Sequence, residues 1–200
     1  MSIERVVTAA PGAPDFENNA WIVGNDREVI VIDPAHQPDR VALAVGERQV
    51  LAVLLTHGHW DHVTAAPAFA ALMSGPPVYL NPADEFLWRE THPEEEFQPL
   101  GDGQQFRVAD LTLTAVATPG HTPGSTCFTT PGTAFTGDTL FEGGPGATRW
   151  AYSDFPTIIE SIEGRLLTLP DATVVHTGHG PDTTIGTERP HLAEWIARGW

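Results

Sequence analysis

The turn over residues 56–62 constrains this chain more than any other segment, because metal-binding side chains are concentrated there. It follows an apolar run over residues 50–55 that is typical of a buried strand. Three of its side chains are imidazoles and one is a carboxylate: His57, His59, His62 and Asp61. Imidazole and carboxylate ligands together suit zinc, iron or manganese, and not a metal that prefers thiolates. The turn therefore predicts a metal site at the end of a strand.

The spacing within the turn indicates how these ligands are shared. Side chains alternate along an extended backbone, so His57 and His59 point to the same side of the chain. The chain then turns, and Asp61 and His62 approach from a different direction. Two pairs of ligands that face two metal ions fit this spacing better than four ligands on one ion.

Composition and charge narrow the classes of function. The chain has 200 residues and a hydrophobic fraction of 41%, so we expect a single domain over residues 1–200 with a substantial core. The formal net charge of -16 argues against binding to nucleic acid or to an anionic membrane, since both require a cationic surface. The sequence contains no lysine, which excludes covalent mechanisms that use a lysine amine.

Cysteine usage and the amino-terminal sequence favour a cytoplasmic protein. Cys127 is the only cysteine, so no disulfide can form within the chain, and we expect it to act as a small buried hydrophobic residue. The first residues do not form a basic segment followed by an apolar one, as a secretion signal would. No uncharged apolar run approaches the length of a membrane span.

Periodicity and turn residues predict a chain of short strands and helices. Strands are predicted over residues 3–8, 19–24, 28–33, 50–55, 78–80, 104–107, 111–117, 125–130, 133–137 and 172–176. Helices are predicted over residues 38–48, 61–73, 82–90, 155–168 and 188–198, with a glycine-rich loop over residues 143–148. Groups of strands with helices between them predict two sheets covered by helices, a layered α/β sandwich.

Candidate ligands recur at four places, each beside a glycine that lets the backbone turn tightly. After the first turn come GHTPGS at residues 120–125, GDTLF at residues 137–141 and GHG at residues 178–180. Each follows a predicted strand, so we expect the ligands to gather along one edge of the sandwich. This ordered set, spread over essentially the whole chain, resembles the metallo-β-lactamase superfamily. GHTPGS and GDTLF are similar to its glyoxalase II (hydroxyacylglutathione hydrolase) branch.

The resemblance implies an αββα four-layer sandwich that holds two divalent ions at one edge of its sheets, zinc or alternatively iron or manganese. The family pattern assigns three ligands to a first ion, three to a second and one to both: His57, His59 and His121; Asp61, His62 and His179; and Asp138. Asp33 resembles a buried aspartate of the family, which accepts hydrogen bonds from the metal loop and fixes its geometry.

The glyoxalase II resemblance further implies a hydrolase that cleaves small S-acyl thiol conjugates, a thioesterase. A hydroxide shared by the two ions would attack the thioester carbonyl, and Asp61 would orient it while holding the second ion. The leaving thiol has a pKa near ~8.5 and departs as a thiolate without a strong general acid. No serine, cysteine or lysine nucleophile is then required.

The chain departs from glutathione-using members of this branch in two respects. It ends about one helix after His179, whereas those enzymes carry a helical C-terminal domain that helps to hold the thiol. It has Ala147 at the position of a basic residue in those enzymes, and Arg149 is the candidate substrate contact instead. The lysine-free composition is compatible with an actinobacterial source, in which mycothiol replaces glutathione. We therefore expect a thioester of glutathione or of mycothiol.

Other functions stay open at this point. Persulfide dioxygenases share the fold and nearly the same motifs, but use one iron. A lactonase would use the same hydrolytic chemistry with a different pocket. A β-lactamase is disfavoured because we expect no secretion signal. A non-catalytic metal-binding module is disfavoured because a structural site is closed by four ligands and needs no second set.

None of the other histidines is assigned to the site. We expect His36 and His92 on the surface, His176 in the core and His191 in the last helix. The oligomeric state cannot be read from the sequence.

Overall fold

The computed structural model of the chain describes residues 2–199 and contains two six-stranded sheets. The first sheet contains its strands in chain order: β1 (Ser2–Ala10), β2 (Ala13–Gly24), β3 (Glu28–Ile32), β4 (Gln49–Leu54), β5 (Val78–Leu80) and β6 (Gln98–Pro99). The second sheet begins with β7 (Gln105–Val108), β8 (Leu111–Ala117), β9 (Thr126–Thr130) and β10 (Thr133–Gly137). After a separate hairpin of β11 (Leu140–Phe141) and β12 (Gly144–Pro145), the chain returns to it with β13 (Val174–Thr177) and β14 (Thr183–Thr184).

Seven short α-helices connect or cover the strands within the described residues: α1 (Pro38–Val45), α2 (Trp60–Val63), α3 (Ala66–Leu72), α4 (Glu85–Thr91), α5 (Phe155–Ser161), α6 (Ile185–Glu188) and α7 (Leu192–Arg198). Single 3-10 turns precede α4 and α7, and a π-helical turn at Ile162–Leu166 extends α5. Within residues 2–199, none of the helices has both the length and the apolar character needed to span a membrane.

Three apolar layers hold the sheets and helices together. Val41 of α1 and Trp88 of α4 belong to a cluster on the outer face of the first sheet. Leu54 of β4 and Phe128 of β9 belong to a second cluster, between the sheets. Trp195 of α7 belongs to a third cluster, on the outer face of the second sheet. The order helix, sheet, sheet, helix confirms the predicted αββα sandwich.

Strand β4 shows why its sequence is apolar on both faces. Successive side chains of a strand point to opposite sides of the sheet. Val53 belongs to the cluster under the helices, whereas Ala52 and Leu54 belong to the cluster between the sheets. A strand covered on both sides needs apolar residues at every position, and the turn that follows it is therefore held on a rigid, buried base.

The strand directions bring several carboxyl ends to one edge. β3 and β4 pair in parallel, and so do β10 and β13. β8 and β10 both pair antiparallel with β9, so they run in the same direction. The turns that follow these strands are consequently neighbours in space, as the sequence predicted.

Two predicted helices are broken where proline occurs. The helix predicted over residues 61–73 is two helices, α2 and α3, and Pro67 lies in the first turn of α3. The helix predicted over residues 188–198 is a 3-10 turn that contains Pro190, followed by α7, and only its first residue belongs to α6. Proline has no N–H group and is tolerated only in the first turn of a helix, so each one marks a new start. The glycine-rich loop over residues 143–148 also contains the short strand β12.

Candidate metal centre

The residues predicted as metal ligands meet at the edge where these strands end. His57 and His59 follow β4, and helix α2 directly after them carries the next two predicted ligands. The last three follow β8, β10 and β13 in turn. The structure thus brings all seven together from four strand ends in both sheets: His57, His59, Asp61, His62, His121, Asp138 and His179.

Three of the histidines form a first group around one point. The Nε2 atom of His57 lies 3.0 Å from Nδ1 of His59, and Nε2 of His121 lies 3.0 Å from the same Nδ1. All three side chains are buried. Their nitrogens face one another at a spacing that suits three ligands of a single ion.

Asp61, His62 and His179 form a second group beside the first. Oδ2 of Asp61 lies 3.2 Å from Nε2 of His179 and 3.5 Å from Nε2 of His62, and the two Nε2 atoms are 3.3 Å apart. Asp138 lies between the groups, with Oδ1 3.2 Å from Nε2 of His62. Its Oδ2 lies 3.6 Å from Nε2 of His121 and 3.6 Å from Nε2 of His179.

Hydrogen bonds to main-chain carbonyls fix the orientation of two of the imidazoles. Nδ1 of His121 lies 2.7 Å from the carbonyl oxygen of Ala147, and Nδ1 of His179 lies 2.6 Å from that of Glu17. A carbonyl oxygen only accepts hydrogen bonds, so each Nδ1 carries a proton and donates it. The Nε2 atoms of both rings are left facing into the centre.

Hydroxyl groups fix two further imidazoles. The Thr56 hydroxyl donates to a carboxylate 2.6 Å away, so its oxygen accepts from Nδ1 of His57 at 3.1 Å. Nε2 of His59 lies 2.9 Å from the hydroxyl of Tyr152, which leaves Nδ1 of this ring facing the centre. His59 therefore presents the opposite nitrogen from the other histidines.

Asp33 makes the hydrogen bonds to the metal loop that the sequence predicted for it. Its Oδ1 accepts from the main-chain N–H of Thr56 at 2.8 Å, and its Oδ2 accepts from the Thr56 hydroxyl at 2.6 Å. Oδ2 also accepts from Nδ1 of His62 at 2.9 Å. Asp33 is buried and has a positive φ of 46°, a conformation that aspartate and asparagine adopt more readily than most residues.

The electrostatics of the first group follow from burial. Burial lowers the pKa of His57 well below its ordinary value, and repulsion from the neighbouring imidazoles lowers it further. Burial likewise lowers the pKa of His59 to about 3 and lowers the pKa of His121. These three rings are neutral near pH 7, which leaves a lone pair on each inward-facing nitrogen.

The electrostatics of the second group follow from carboxylates. Burial opposes the charge on His62, but Asp138, Asp61 and Asp33 outweigh it and raise its pKa well above the ordinary value. The pKa of His179 is also raised, since the carboxylates of Asp138 and Asp61 outweigh its burial. Burial alone would raise the pKa of Asp138, yet His62 and His179 lower it to about 2. The second group thus stabilises positive charge.

The arrangement fits bound metal. Each imidazole gives its outward N–H to an oxygen and turns its other nitrogen inward, which is how metal-ligating histidines are held. A cation among the inward nitrogens of the first group would relieve the repulsion between their lone pairs. A cation in the second group would take the place of the protons that its carboxylates attract. Clusters of His and Asp residues that could bind metal are therefore present at the predicted positions.

Asp84, which the sequence analysis missed, ties two ligand loops together. Its Oδ2 accepts from the N–H of Gly58 at 2.8 Å and from the hydroxyl of Thr122 at 2.7 Å, and its Oδ1 accepts from the N–H of Gly124 at 2.6 Å. A Cβ atom on Gly58 would lie 2.9 Å from the Cβ of Asp84, so glycine makes room for this contact. The carboxylate joins the loop of His57 to that of His121.

The centre opens into a cavity of about 640 Å³, within the range of small-molecule sites. Aromatic side chains form much of its wall: Phe16, Trp60, Phe141, Trp150 and Tyr152. Arg149, the predicted substrate contact, also lines this cavity, and its guanidinium lies 4.7 Å from the centre of the Trp150 ring. Apart from the predicted metal ligands, the only other charged side chain of the described wall is Glu90.

The expectation that His36 is a surface residue is wrong. His36 is buried in the loop between β3 and α1, and its ring lies 5.6 Å from the ring of Trp60. Sequence reasoning placed it outside because its neighbours are polar or proline, but α2 folds over it and brings Trp60 against it. His92 is only half-buried, with Nε2 2.9 Å from the carbonyl oxygen of Val63.

Of the other single residues, Cys127 is buried as predicted, whereas His176 is less buried than predicted and His191 lies just before the last helix and not in it. His176 is half-buried and lies 2.9 Å from a carboxylate oxygen of Asp182, away from the metal ligands. His191 is exposed and precedes α7. Cys127 is buried, and burial raises the pKa of its thiol to about 11. It does not line the cavity, so it is not placed to act as a nucleophile.

Asn18 and Tyr152 are further residues that sequence reasoning missed. Asn18 lies in β2, and its side chain reaches the second group, where Nδ2 is 3.2 Å from Oδ2 of Asp61. Tyr152 lies in the loop before α5 and reaches His59. Neither belongs to a motif with metal-ligand spacing, so no sequence signal distinguished them from ordinary polar residues.

Sequence and structure comparisons agree on a family. The chain matches the family described as Metallo-beta-lactamase superfamily over residues 13–179. Hydroxyacylglutathione hydrolase GloC of Haemophilus influenzae is 32% identical over 209 residues, with 94% of this chain and 95% of that protein covered.

Two solved structures share the fold closely. TTHA1623, crystallised in a di-iron-bound form, is 31% identical with a TM-score of 0.80, and the alignment covers 93% of this chain and 96% of that one. ETHE1 from Myxococcus xanthus is 27% identical with a TM-score of 0.80, covering 96% of this chain and 83% of that one. The family match and these alignments over nearly the whole chain confirm the predicted resemblance, and the chain belongs to the metallo-beta-lactamase superfamily.

Proposed function

We propose that this chain is a metal-dependent hydrolase that cleaves small S-acyl thiol conjugates at a centre of two divalent ions. One observation carries the proposal: two groups of three ligands, joined by Asp138, lie at the base of an open cavity. A structural site would be closed and would need one group only. The 32% identity to hydroxyacylglutathione hydrolase GloC supports a thioester as the substrate.

The ligand roles follow the two groups. His57, His59 and His121 would hold the first ion, and the second would be held by the other group: Asp61, His62 and His179. Asp138 would contact both ions. Zinc suits these imidazole and carboxylate ligands, as do iron and manganese. When bound, the ions would supply a water that ionises near neutral pH and a Lewis acid for the carbonyl oxygen.

The residues of the chain would orient the reactants. Asp61 lines the cavity, and we propose that it orients the attacking water by accepting a hydrogen bond from it. No acid is needed for the leaving group, because a thiol with a pKa near ~8.5 departs as a thiolate. Cys127 is buried outside the cavity, which agrees with hydrolysis by water and without a covalent intermediate.

The cavity wall supports a thiol carrier with little negative charge. Glutathione carries two carboxylates, whereas Arg149 is the one cationic side chain outside the ligand groups among the described wall residues. Glu90 on the same wall would repel a second carboxylate. We therefore propose mycothiol, which has sugar rings and no carboxylate, ahead of glutathione. Aromatic side chains such as Trp60 and Trp150 offer flat surfaces for such rings.

A substrate panel tests this function. Protein loaded with zinc would be assayed with S-lactoylglutathione, an S-acyl mycothiol and a lactone, and then again after chelation and after zinc is restored. We expect hydrolysis of the thioesters, preference for the mycothiol conjugate, and activity that is lost and regained with zinc. Hydrolysis of the lactone alone would replace the thioesterase with a lactonase. Preference for S-lactoylglutathione would overturn the choice of mycothiol only.

The likeness to ETHE1 supports a second candidate, a persulfide dioxygenase that uses one iron. The same protein, purified without chelator, would be analysed for metal content and for oxygen uptake with glutathione persulfide. One iron per chain together with oxygen uptake would favour this oxidation. Two ions per chain and no oxygen uptake would favour the hydrolase.

A further inference from the structure

Asn18 occupies a position in the second ligand group that its sequence context did not predict. The side chain comes from β2 and is fully buried. Its Nδ2 lies 3.2 Å from Oδ2 of Asp61, 3.4 Å from Nε2 of His62 and 3.3 Å from Nε2 of His179. The amide is therefore equally close to all three atoms that we assign to the second ion.

The four atoms form a nearly regular tetrahedron. The other three edges, among Asp61, His62 and His179, measure 3.2, 3.3 and 3.5 Å. The centre of a regular tetrahedron with such edges lies about 2.0 Å from every corner, which is the distance at which zinc binds imidazole nitrogen and carboxylate oxygen. Asn18 supplies the fourth corner of a polyhedron with the dimensions of a tetrahedral metal site.

The chemistry of the amide decides which of its atoms belongs at that corner. Amide nitrogen has its lone pair delocalised and does not bind divalent ions, whereas amide oxygen has two lone pairs available. Oδ1 of Asn18 is buried without a hydrogen-bond partner among the described residues. A half-turn about the last side-chain bond exchanges the nearly isosteric O and NH2 groups and places Oδ1 at the corner.

The backbone on either side of Asn18 is tied to the loop of His179. The carbonyl oxygen of Glu17 accepts from Nδ1 of His179 at 2.6 Å. The main-chain N–H of Asn19 donates to the carbonyl oxygen of Gly178 at 2.8 Å, and its side chain donates to that of Gly180 at 2.9 Å. Asn18 thus has a fixed position relative to the second group, as a ligand requires.

We propose that Asn18 is a fourth protein ligand of the second ion, through Oδ1. This inference rests on the proposed roles of Asp61, His62 and His179. The second ion would then have four protein ligands in addition to its share of Asp138, whereas the first ion would have three. With three protein ligands besides Asp138, the first position would leave more room for a substrate carbonyl.

The test is a two-site zinc titration of metal-free protein by calorimetry. The wild type would be compared with Asn18→Ala, with Asn18→Asp, and with Asn25→Ala as a matched control in a turn remote from the cavity. We expect Asn18→Ala to weaken the second ion about 10- to 100-fold and to leave the first unchanged. Asn18→Asp retains the oxygen, so its second ion should bind at least as tightly as in the wild type. Asn25→Ala should match the wild type.

Asn18→Asp separates a ligand from a hydrogen-bond donor, because the substitution keeps the oxygen and removes the NH2 group. Weak binding of the second ion in both Asn18 variants would show that donation to Asp61 matters, and would overturn the assignment. Wild-type affinity in Asn18→Ala would overturn it as well, while the two-ion hydrolase would stand. A wild type that binds a single ion would overturn both proposals.

A spectrum of the cobalt-substituted protein gives a second readout, which does not depend on activity. Cobalt(II) absorption reports the geometry and number of ligands. At full occupancy we expect the absorption of one of the two cobalt ions to differ between wild type and Asn18→Ala, and that of the other to stay the same. Identical spectra at both equivalents would contradict the ligand role.

Discussion

The two halves of the candidate metal centre use the same kinds of side chain but have different surroundings. In the first half, neutral oxygens accept the outward N–H groups of His57, His59 and His121. In the second half, the outward N–H of His62 meets the carboxylate of Asp33, and Asp61 lies among the inward atoms. The carboxylates of Asp33 and Asp61 therefore both lie at the second ion position.

This difference teaches how one sheet edge can provide two unlike metal positions. Burial keeps the first group neutral, so an ion there retains most of its charge as a Lewis acid. The carboxylates of the second group neutralise much of the charge of an ion placed there. We therefore expect the first position to polarise substrate and the second to supply and orient water. Substitutions in each half test that division.

The largest effect is expected for His121→Ala, which removes a nitrogen from the first group. Loss of the first ion removes several kcal/mol of charge stabilisation, so thioester turnover should fall about 1000-fold or more. Metal analysis should show one ion fewer per chain. His191→Ala removes an exposed histidine remote from the cavity and is the matched control. Unchanged metal content in His121→Ala would contradict its role as a ligand.

Asp61→Ala tests the second half at the one carboxylate ligand that it does not share with the first half. We expect turnover to fall about 100- to 10000-fold, because both the orienting group for water and a ligand are lost. The fold should be retained, as the circular dichroism spectrum and the melting temperature can show, since Asp61 lies in the cavity wall and not in the apolar core. A variant with near-native turnover would remove Asp61 from the mechanism.

Asp33→Asn sharpens the comparison. It removes the negative charge next to His62 of the second half and keeps the size of the side chain. Asparagine also tolerates the positive φ of 46° at this position, where alanine would be strained. We expect the affinity of the second ion to fall about 10- to 100-fold, with a much smaller change for the first. Calorimetric titration with zinc measures both. An equal loss at the two positions would mean that the halves are not electrostatically distinct.

Tyr152→Phe is the corresponding change behind the first half and should have a smaller effect. It removes only a neutral hydroxyl from Nε2 of His59, and water from the open cavity can replace that acceptor. We expect the affinity of the first ion to fall by no more than about tenfold. The same titration gives the value. A loss larger than that of Asp33→Asn would reverse the proposed order of the two surroundings.

The pH dependence of metal binding is expected to be the smallest of these effects. The pKa values of His62 and His179 are raised in the metal-free chain, so protons compete with the second ion as the pH falls through these raised values. The pKa of His59 is lowered to about 3, so protons compete with the first ion only at much lower pH. Zinc release measured from pH 8 to pH 4 should therefore occur in two steps, the second ion leaving first. Release of both ions in one step would contradict this order.

Much of the fold and of the ligand set was predictable because it depends on local patterns. The predicted strands and the four ligand turns lie close to their observed positions, since apolar runs and glycines indicate them directly. The two-residue strands β6, β11, β12 and β14 were not predicted. The prediction of one helix over residues 61–73 was wrong. Residues that favour helix continue through this segment, but a second helix begins within it, with Pro67 in its first turn. The burial of His36 was missed because it depends on Trp60, which α2 brings against it.

The sequence by itself determined the chemistry of the site: which residues bear imidazole or carboxylate, and that each follows the end of a strand. Only the tertiary structure decided which other side chains form hydrogen bonds with the ligands and their loops. Asp84 and Tyr152 are distant in sequence from the residues they contact, at 26 and 93 positions from Gly58 and His59. Asn18 is 43 positions from Asp61. Such contacts arise when the sheets pack, and no local spacing rule encodes them, because a single polar residue has many possible partners until the fold selects one.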